Sequence, residues 1–137
     1  MREELVSFET AKLAREKGFN VQTFDWYDYT GNYHKGFIPH ELHECPRYKE
    51  YYAPTQSLLQ RWLREEKMVH VEIAHNPMYG GFMPYLCEIE NGKYGVFTLL
   101  EANCHCIAMH NATYEEALEA GLQYALKHPE KWNDKEK

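Results

Sequence analysis

The sequence predicts an α+β fold: a three- to four-stranded antiparallel sheet with two amphipathic helices packed on one face and a short N-terminal helix. Three features carry this prediction. Residues 56–65 place apolar side chains at helical spacing, and residues 69–74 then alternate apolar and polar side chains as a half-buried strand does. The Asn-Gly pair at 91–92 separates two further strand-like segments and favours a type I′ hairpin turn. The sequence TYEE at 113–116 is a capping box that begins another amphipathic helix.

The N-terminal helix is expected to run from about Ser7 to Lys17. Ser7 is a suitable N-cap, because its hydroxyl can accept a hydrogen bond from the first turn. Gly18 suits the left-handed position after the last turn, and Phe19 can then fold back onto the helix. We expect this helix to pack at the periphery of the fold.

Residues 21–52 form an aromatic-rich segment with little regular periodicity. A small hairpin is expected inside it, because aromatic side chains alternate around two aspartates and residues 29–33 have the composition of a turn. One interpretation is an aromatic lid over an open edge of the core. The other is a surface that binds a protein partner. The binding residues of that second interpretation are Trp26, Tyr27, Tyr29, Tyr51 and Tyr52.

The centre of the core is expected at residues 51–73. Pro54 precedes a helix for which Thr55 is the expected N-cap. The apolar side chains of that helix fall on one side of it: Leu58, Leu59, Trp62 and Leu63. The strand that follows directs alternate side chains to the same face: Val69, Val71 and Ile73. A helix and a strand this close in sequence can bury each other's apolar faces.

The rest of the sheet is expected after residue 81. A strand at 82–90 contains Pro84, which restricts the beginning of that strand to a sheet edge or a strand start. A returning strand is expected at 94–100 and a further extended segment at 104–109. The last helix carries one apolar stripe: Tyr114, Ala117, Leu118, Gly121, Leu122, Ala125 and Leu126. Residues 129–137 are expected to form a loose tail.

Composition indicates one domain over residues 1–137 and excludes several functional classes. The chain has 15 basic and 21 acidic residues, a net charge of −6, and no dense basic cluster, which disfavours nucleic-acid binding. No apolar run is long enough to span a membrane. The N-terminus lacks the apolar core of a signal peptide, so we expect a cytoplasmic protein with its four cysteines reduced.

Cys104-His105-Cys106 is the most suggestive metal-binding sequence. In a strand, Cys104 and Cys106 point the same way, and His40 and His43 could complete four zinc ligands. The alternative interpretation is a pair of core thiols with solvated histidines, and no cofactor is required by the sequence. The chain contains no G-x-S-x-G, P-loop, G-x-G-x-x-G or H-E-x-x-H sequence. No catalytic residue is therefore predicted, and a non-catalytic protein is favoured.

Two blocks resemble recurrent sequences of small uncharacterised proteins from phage-like and mobile elements of Bacteroides and relatives. They are YYAPTQSLLQRWLRE at 51–65 and ATYEEALEAGLQYALK at 112–127. Both blocks are helix-packing sequences, so the resemblance implies a shared fold and transfers no catalytic residue. A second likeness is topological. A strand, a Gly-rich loop, another strand and then the helix that begins with TYEEAL are similar to the antitoxin half of the HicAB toxin–antitoxin systems, in which such a unit blocks a ribonuclease.

These observations favour a non-catalytic accessory protein of a phage-like or mobile element that acts by binding a protein partner. Two alternatives stay open. One is a zinc protein or metal-dependent enzyme that uses Cys104, Cys106, His40 and His43. The other is an antitoxin-like inhibitor of a nuclease. An exposed sheet edge near Pro84 would also permit a homodimer.

Overall fold

The computed structural model describes residues 4–36, 49–75, 80–90, 93–98 and 113–127. The helices are α1 (Phe8–Glu16), α2 (Gln56–Glu66) and α3 (Tyr114–Lys127). The strands are β1 (Asp25–Tyr27), β2 (Tyr33–Lys35), β3 (Tyr51–Tyr52), β4 (Val69–His75), β5 (Phe82–Glu90) and β6 (Lys93–Thr98). The α+β class predicted from the sequence is confirmed.

The larger sheet is antiparallel, in the order β4-β5-β6, and α2 and α3 pack against it. Its register pairs Val71 with Leu86 and Ile73 with Pro84, so these side chains share one face. Val71, Leu86 and Pro84 are fully buried there. Among the described residues β6 pairs with β5 only from Tyr85 onwards. Pro84 is the third residue of β5, the central strand of this sheet, and pairs with Ile73 of β4.

The last helix approaches the sheet at Gly121. A Cβ atom built on Gly121 would lie 2.6 Å from Val71 Cγ1 and 3.0 Å from Pro84 Cβ. Since carbon atoms pack at about 3.5–4.0 Å, a residue with a side chain would force the helix and the sheet apart. The small residue predicted at this position is thus required by the distance between α3 and the sheet.

One cluster of buried side chains joins the three helices to the larger sheet. Its members are Val6, Ala11, Ala14, Phe19, Leu59, Leu63, Val69, Val71, Leu86, Leu118, Leu122, Ala125 and Leu126. The stripe predicted on the last helix is buried from Ala117 onwards, but Tyr114 is exposed. Tyr114 is the first residue of α3, and its ring makes an edge contact with Phe82 at the start of β5 while the rest of the side chain is open to solvent.

The helix ends follow the local chemistry of the sequence. Ser7, Thr55 and Thr113 each accept a hydrogen bond from a backbone N–H in the first turn of their helices. At the end of α1, the Phe19 N–H donates to Ala14 and the Gly18 N–H donates to Arg15. This is a Schellman cap, and it requires the positive φ of Gly18, which is +99°.

A second, smaller sheet has the order β2-β1-β3 and lies beside α1. The hairpin of β1 and β2 confirms the one predicted around residues 29–33. The third strand, β3, falls in the segment that the sequence indicates as irregular, because two residues are too few to show any periodicity. The extended segment expected at 104–109, the turn at 91–92 and the tail at 129–137 lie outside the described residues. Of the helices described, none is long and apolar enough to cross a membrane.

Candidate functional site

The β1–β2 hairpin is closed by a turn that is organised around the Asp28 carboxylate. Asp28 Oδ1 accepts hydrogen bonds from the backbone N–H of Thr30 at 2.9 Å and of Asn32 at 3.0 Å, and from the Thr30 hydroxyl. Gly31 supplies the positive φ of this turn, +91°. The turn is an Asx-type turn, in which a short acidic side chain satisfies backbone donors that the strands leave unpaired.

The other oxygen of Asp28 binds His34. His34 Nε2 lies 2.7 Å from Asp28 Oδ2, and the His34 ring stacks on the Trp26 indole with centroids 4.3 Å apart and planes 15° from parallel. Burial raises the pKa of Asp28, but hydrogen bonds from Thr30, His34 and Asn32 outweigh it and lower the pKa to about 2. Asp28 is therefore a carboxylate throughout the physiological range.

Exposed aromatic side chains are concentrated on this hairpin and at its entry. Phe24, Tyr29 and Tyr33 are 48%, 52% and 43% exposed. Elsewhere in the described part of the chain, the only large apolar side chains of comparable exposure are Val21, Met68 and Tyr114. Aromatic side chains at a surface offer a large contact area at a low cost in conformational entropy, which suits them to protein interfaces.

The five predicted binding residues do not share one environment. Tyr27 and Tyr51 face Phe8 of α1, with ring centroids 5.7 and 5.6 Å away. The Tyr27 hydroxyl also donates to the Val6 carbonyl at 2.7 Å. Burial, followed by the charges of Glu119, Asp25 and Glu4, raises the pKa of Tyr27. These contacts give Tyr27 and Tyr51 a role in holding the small sheet to the core.

Trp26, Tyr29 and Tyr52 are placed differently. The register pairs Trp26 with both His34 and Tyr52, so these three side chains are on the face of the small sheet opposite to Tyr27. Tyr29 lies in the turn and is exposed. Tyr52 is half-buried and also packs against the core cluster. The structure therefore leaves Trp26 and Tyr29 as the predicted residues best placed to meet a partner.

A cleft with a volume of about 690 Å³ lies where the N-terminal segment meets α2 and α3. Its lining is strongly acidic: Glu4, Glu115, Glu116 and Glu119, together with Tyr27, Gln56 and Thr113. Glu119 is occupied by structural contacts. It accepts hydrogen bonds at 2.9 Å from the Ser7 N–H, the Ser7 hydroxyl and Gln56 Nε2, and a further one from the Thr10 hydroxyl. This carboxylate fastens α1 and α2 to α3.

The metal hypothesis concerns residues outside the described ranges. Cys104, Cys106, His40 and His43 all lie there, so the structure does not place them. Among the residues that are described, no group of three or more His, Cys, Asp and Glu side chains could hold a metal ion. Cys87 is the cysteine that lies within the described residues. It is a buried thiol on β5, and its pKa is raised by burial and by the charge of Glu72.

Sequence reasoning missed Asp28 and His34 as members of the site, and it did not distinguish Phe24 and Tyr33 from the other aromatic residues. The turn composition at 29–33 predicts a hairpin but leaves the strand register open. Only that register places His34 opposite Trp26. A two-residue shift would have paired other side chains with the indole.

Comparisons with protein-family models, with curated proteins and with solved structures found no match.

Proposed function

We propose that this protein is a non-catalytic binding module, an accessory of a phage-like or mobile element, that captures a protein partner through its aromatic hairpin. We define the aromatic hairpin as residues 24–35. The observation that carries the proposal is the concentration of exposed aromatic side chains there, at Phe24, Tyr29 and Tyr33. Tyr and Trp are enriched in the residues that dominate binding energy at protein interfaces.

A protein partner fits the charge of the hairpin better than a nucleic acid does. The chain carries a net charge of −6, and Asp25 and Asp28 lie within the aromatic hairpin itself. A phosphate backbone would be repelled by these carboxylates and would require a basic patch, which the sequence lacks. A protein surface that offers apolar groups and hydrogen-bond donors meets no such penalty.

The association with a mobile element rests on the resemblance of two blocks, which correspond to α2 and α3. Both helices direct their apolar residues to the core, at Leu59 and Leu63 in one and at Leu118 and Leu122 in the other. The resembling blocks thus support a shared fold. The resemblance leaves the aromatic segment at 21–52, which contains the aromatic hairpin, and residues 91–111 as the parts in which one such protein would differ from another.

Site-specific photo-crosslinking tests the proposal. A benzoylphenylalanine residue would replace Tyr29 in the host cell, and the same residue would replace Tyr114 as the matched control, because Tyr114 is an exposed tyrosine on a different element. We expect one protein to crosslink from position 29 and not from position 114. Equal patterns from both positions, or no adduct from position 29, would refute the proposed surface.

A second candidate function is inhibition of a nuclease in the manner of an antitoxin. The observation that favours it is the order β4-β5-β6 followed by a capped helix, which is the order on which the likeness to the HicAB antitoxin rests. The two candidates differ in the identity of the partner. If the crosslinked protein is a ribonuclease whose activity falls on mixing with this chain in equal amounts, the second candidate is supported.

The zinc alternative has its own test, native mass spectrometry of protein purified without chelator. One zinc per chain that is lost in Cys104→Ser and Cys106→Ser variants would favour it. A metal-free mass of the wild-type protein under the same conditions would contradict it.

A further inference from the structure

Strand β4 lies at one edge of the larger sheet, since β5 is the only strand among the described residues that pairs with it. The open edge of a strand is a template for pairing with another chain. We propose that Gln60 and Arg64 of α2 cover this edge and keep it from pairing with β4 of a second copy of the chain. The inference does not depend on the aromatic hairpin.

The backbone groups of Val71 face away from β5. The Val71 carbonyl accepts a hydrogen bond from Gln60 Nε2 at 2.5 Å, so it is not directed at the neighbouring strand. In an antiparallel pair the N–H and C=O of one residue point to the same side, and this side alternates along the strand, so Val69 and Ile73 face outward as well. The cross-strand neighbour of Ile73 is Pro84, which has no N–H to donate to it, in agreement with this direction. Three residues of β4 therefore present backbone groups at the edge.

Two side chains of α2 reach this edge. Gln60 and Arg64 lie one helical turn apart, so they share one side of the helix. Gln60 donates to the Val71 carbonyl, and Arg64 Nη1 lies 3.3 Å from His70 Nδ1. A guanidinium group only donates hydrogen bonds, so the imidazole nitrogen is the acceptor. Val71 is fully buried although it belongs to an edge strand. The two side chains therefore occupy the middle of the edge, where another strand would pair.

The sequence of β4 is complementary to an antiparallel copy of itself, which is why a second copy is the expected occupant. In the register centred on Val71, Val71 faces Val71 and Val69 faces Ile73 of the second copy, and such β-branched pairs stabilise a sheet. On the other face His70 meets Glu72 of the second copy, and the two-fold axis forms this pair twice. These two side chains already lie 3.5 Å apart within one chain. A register centred on Glu72 would instead place two carboxylates directly opposite each other.

Sedimentation equilibrium of the purified protein tests the proposal with Gln60→Ala/Arg64→Ala. The matched control is Arg61→Ala/Glu65→Ala, which removes an exposed ion pair of the same spacing from the same helix. We expect the wild type and the control to keep one mass as the concentration rises. The Gln60→Ala/Arg64→Ala protein should approach twice that mass, with self-association at least about tenfold tighter than in the wild type. A double variant that sediments as the wild type does, or a control that associates equally, would overturn the proposal.

Two further measurements separate strand pairing from a loss of folding. Urea denaturation first establishes that each variant is folded, and the single variant Gln60→Ala replaces the double variant if the latter is not, because it removes only the hydrogen bond at Val71. Adding Glu72→Lys should then return the protein to the wild-type mass, since the match between Glu72 and His70 of the second copy is lost. The Glu72 side chain is 60% exposed, so the fold tolerates this change. Association that persists unchanged with Glu72→Lys would show that the copies do not meet along β4.

Discussion

Gly121→Ala tests how closely α3 must approach the larger sheet. The added methyl group would start 2.6 Å from Val71 Cγ1 and 3.0 Å from Pro84 Cβ, and Pro84 cannot move away by changing rotamer. Overpacking of this kind costs about 1–3 kcal/mol, and the contact at 2.6 Å places the cost in the upper half of that range. Alanine is favoured over glycine inside a helix by about 1 kcal/mol. We therefore expect a net loss of stability of about 1–2 kcal/mol.

Urea denaturation followed by circular dichroism measures this change as a lower midpoint with an unchanged slope. The double variant Val71→Ala/Gly121→Ala tests whether overpacking causes the loss, because it removes Val71 Cγ1, the nearer of the two clashing atoms. Its loss of stability should be smaller than the sum of the two single losses by at least about 0.5 kcal/mol. A Gly121→Ala protein that is more stable than wild type, as its helix propensity alone would predict, would refute the described packing.

Three further changes test individual contacts by the same denaturation assay. Glu119→Gln should lower the free energy of unfolding by about 1–3 kcal/mol, because its amide N–H₂ would face the hydrogen-bond donors of Ser7 and Gln56. The control Glu115→Gln should leave stability nearly unchanged. Equal losses in the two variants would contradict the role of Glu119. Thr113→Ala should cost about 1 kcal/mol by removing the capping box of α3, and no loss would mean that the cap contributes nothing. Asp28→Asn should destabilise the protein at neutral pH. Since the folded pKa of Asp28 is lowered, that difference should be complete above pH 3.8 and disappear as the pH falls to about 2. A constant difference across that range would contradict the hydrogen bonds assigned to Asp28.

The helix boundaries could be predicted from sequence because the forces that set them are local. Ser7, Gly18 and Thr55 act on residues within four positions of themselves, so their chemistry is visible in a short window. The apolar stripe of α3 is equally visible, because its helical period runs from Ala117 to Leu126. Tyr114 fits the same helical period but is exposed, because periodicity gives the face of a helix on which a residue lies and does not give its burial.

The candidate site could be predicted only in part, because its geometry depends on contacts between distant residues. The aromatic composition of residues 21–52 indicates a surface or a lid. It does not show that Tyr27 and Tyr51 pack on Phe8 while Trp26 meets His34. Likewise, no local pattern links Ser7 to Glu119, which are 112 positions apart in the chain. Strand register and helix placement decide these pairs, and both depend on the assembled core.

The central claim is that the aromatic hairpin is the surface that captures a partner. Titration calorimetry with the purified crosslinked partner tests it most directly, using Phe24→Ser/Tyr29→Ser and the matched control Tyr114→Ser. We expect the double variant to bind at least tenfold more weakly, since exposed aromatic anchors contribute about 1–2 kcal/mol each at interfaces, and the control to bind as the wild type does. Denaturation midpoints would first establish that all three proteins are folded. Equal affinity of the double variant and the wild type would contradict the account.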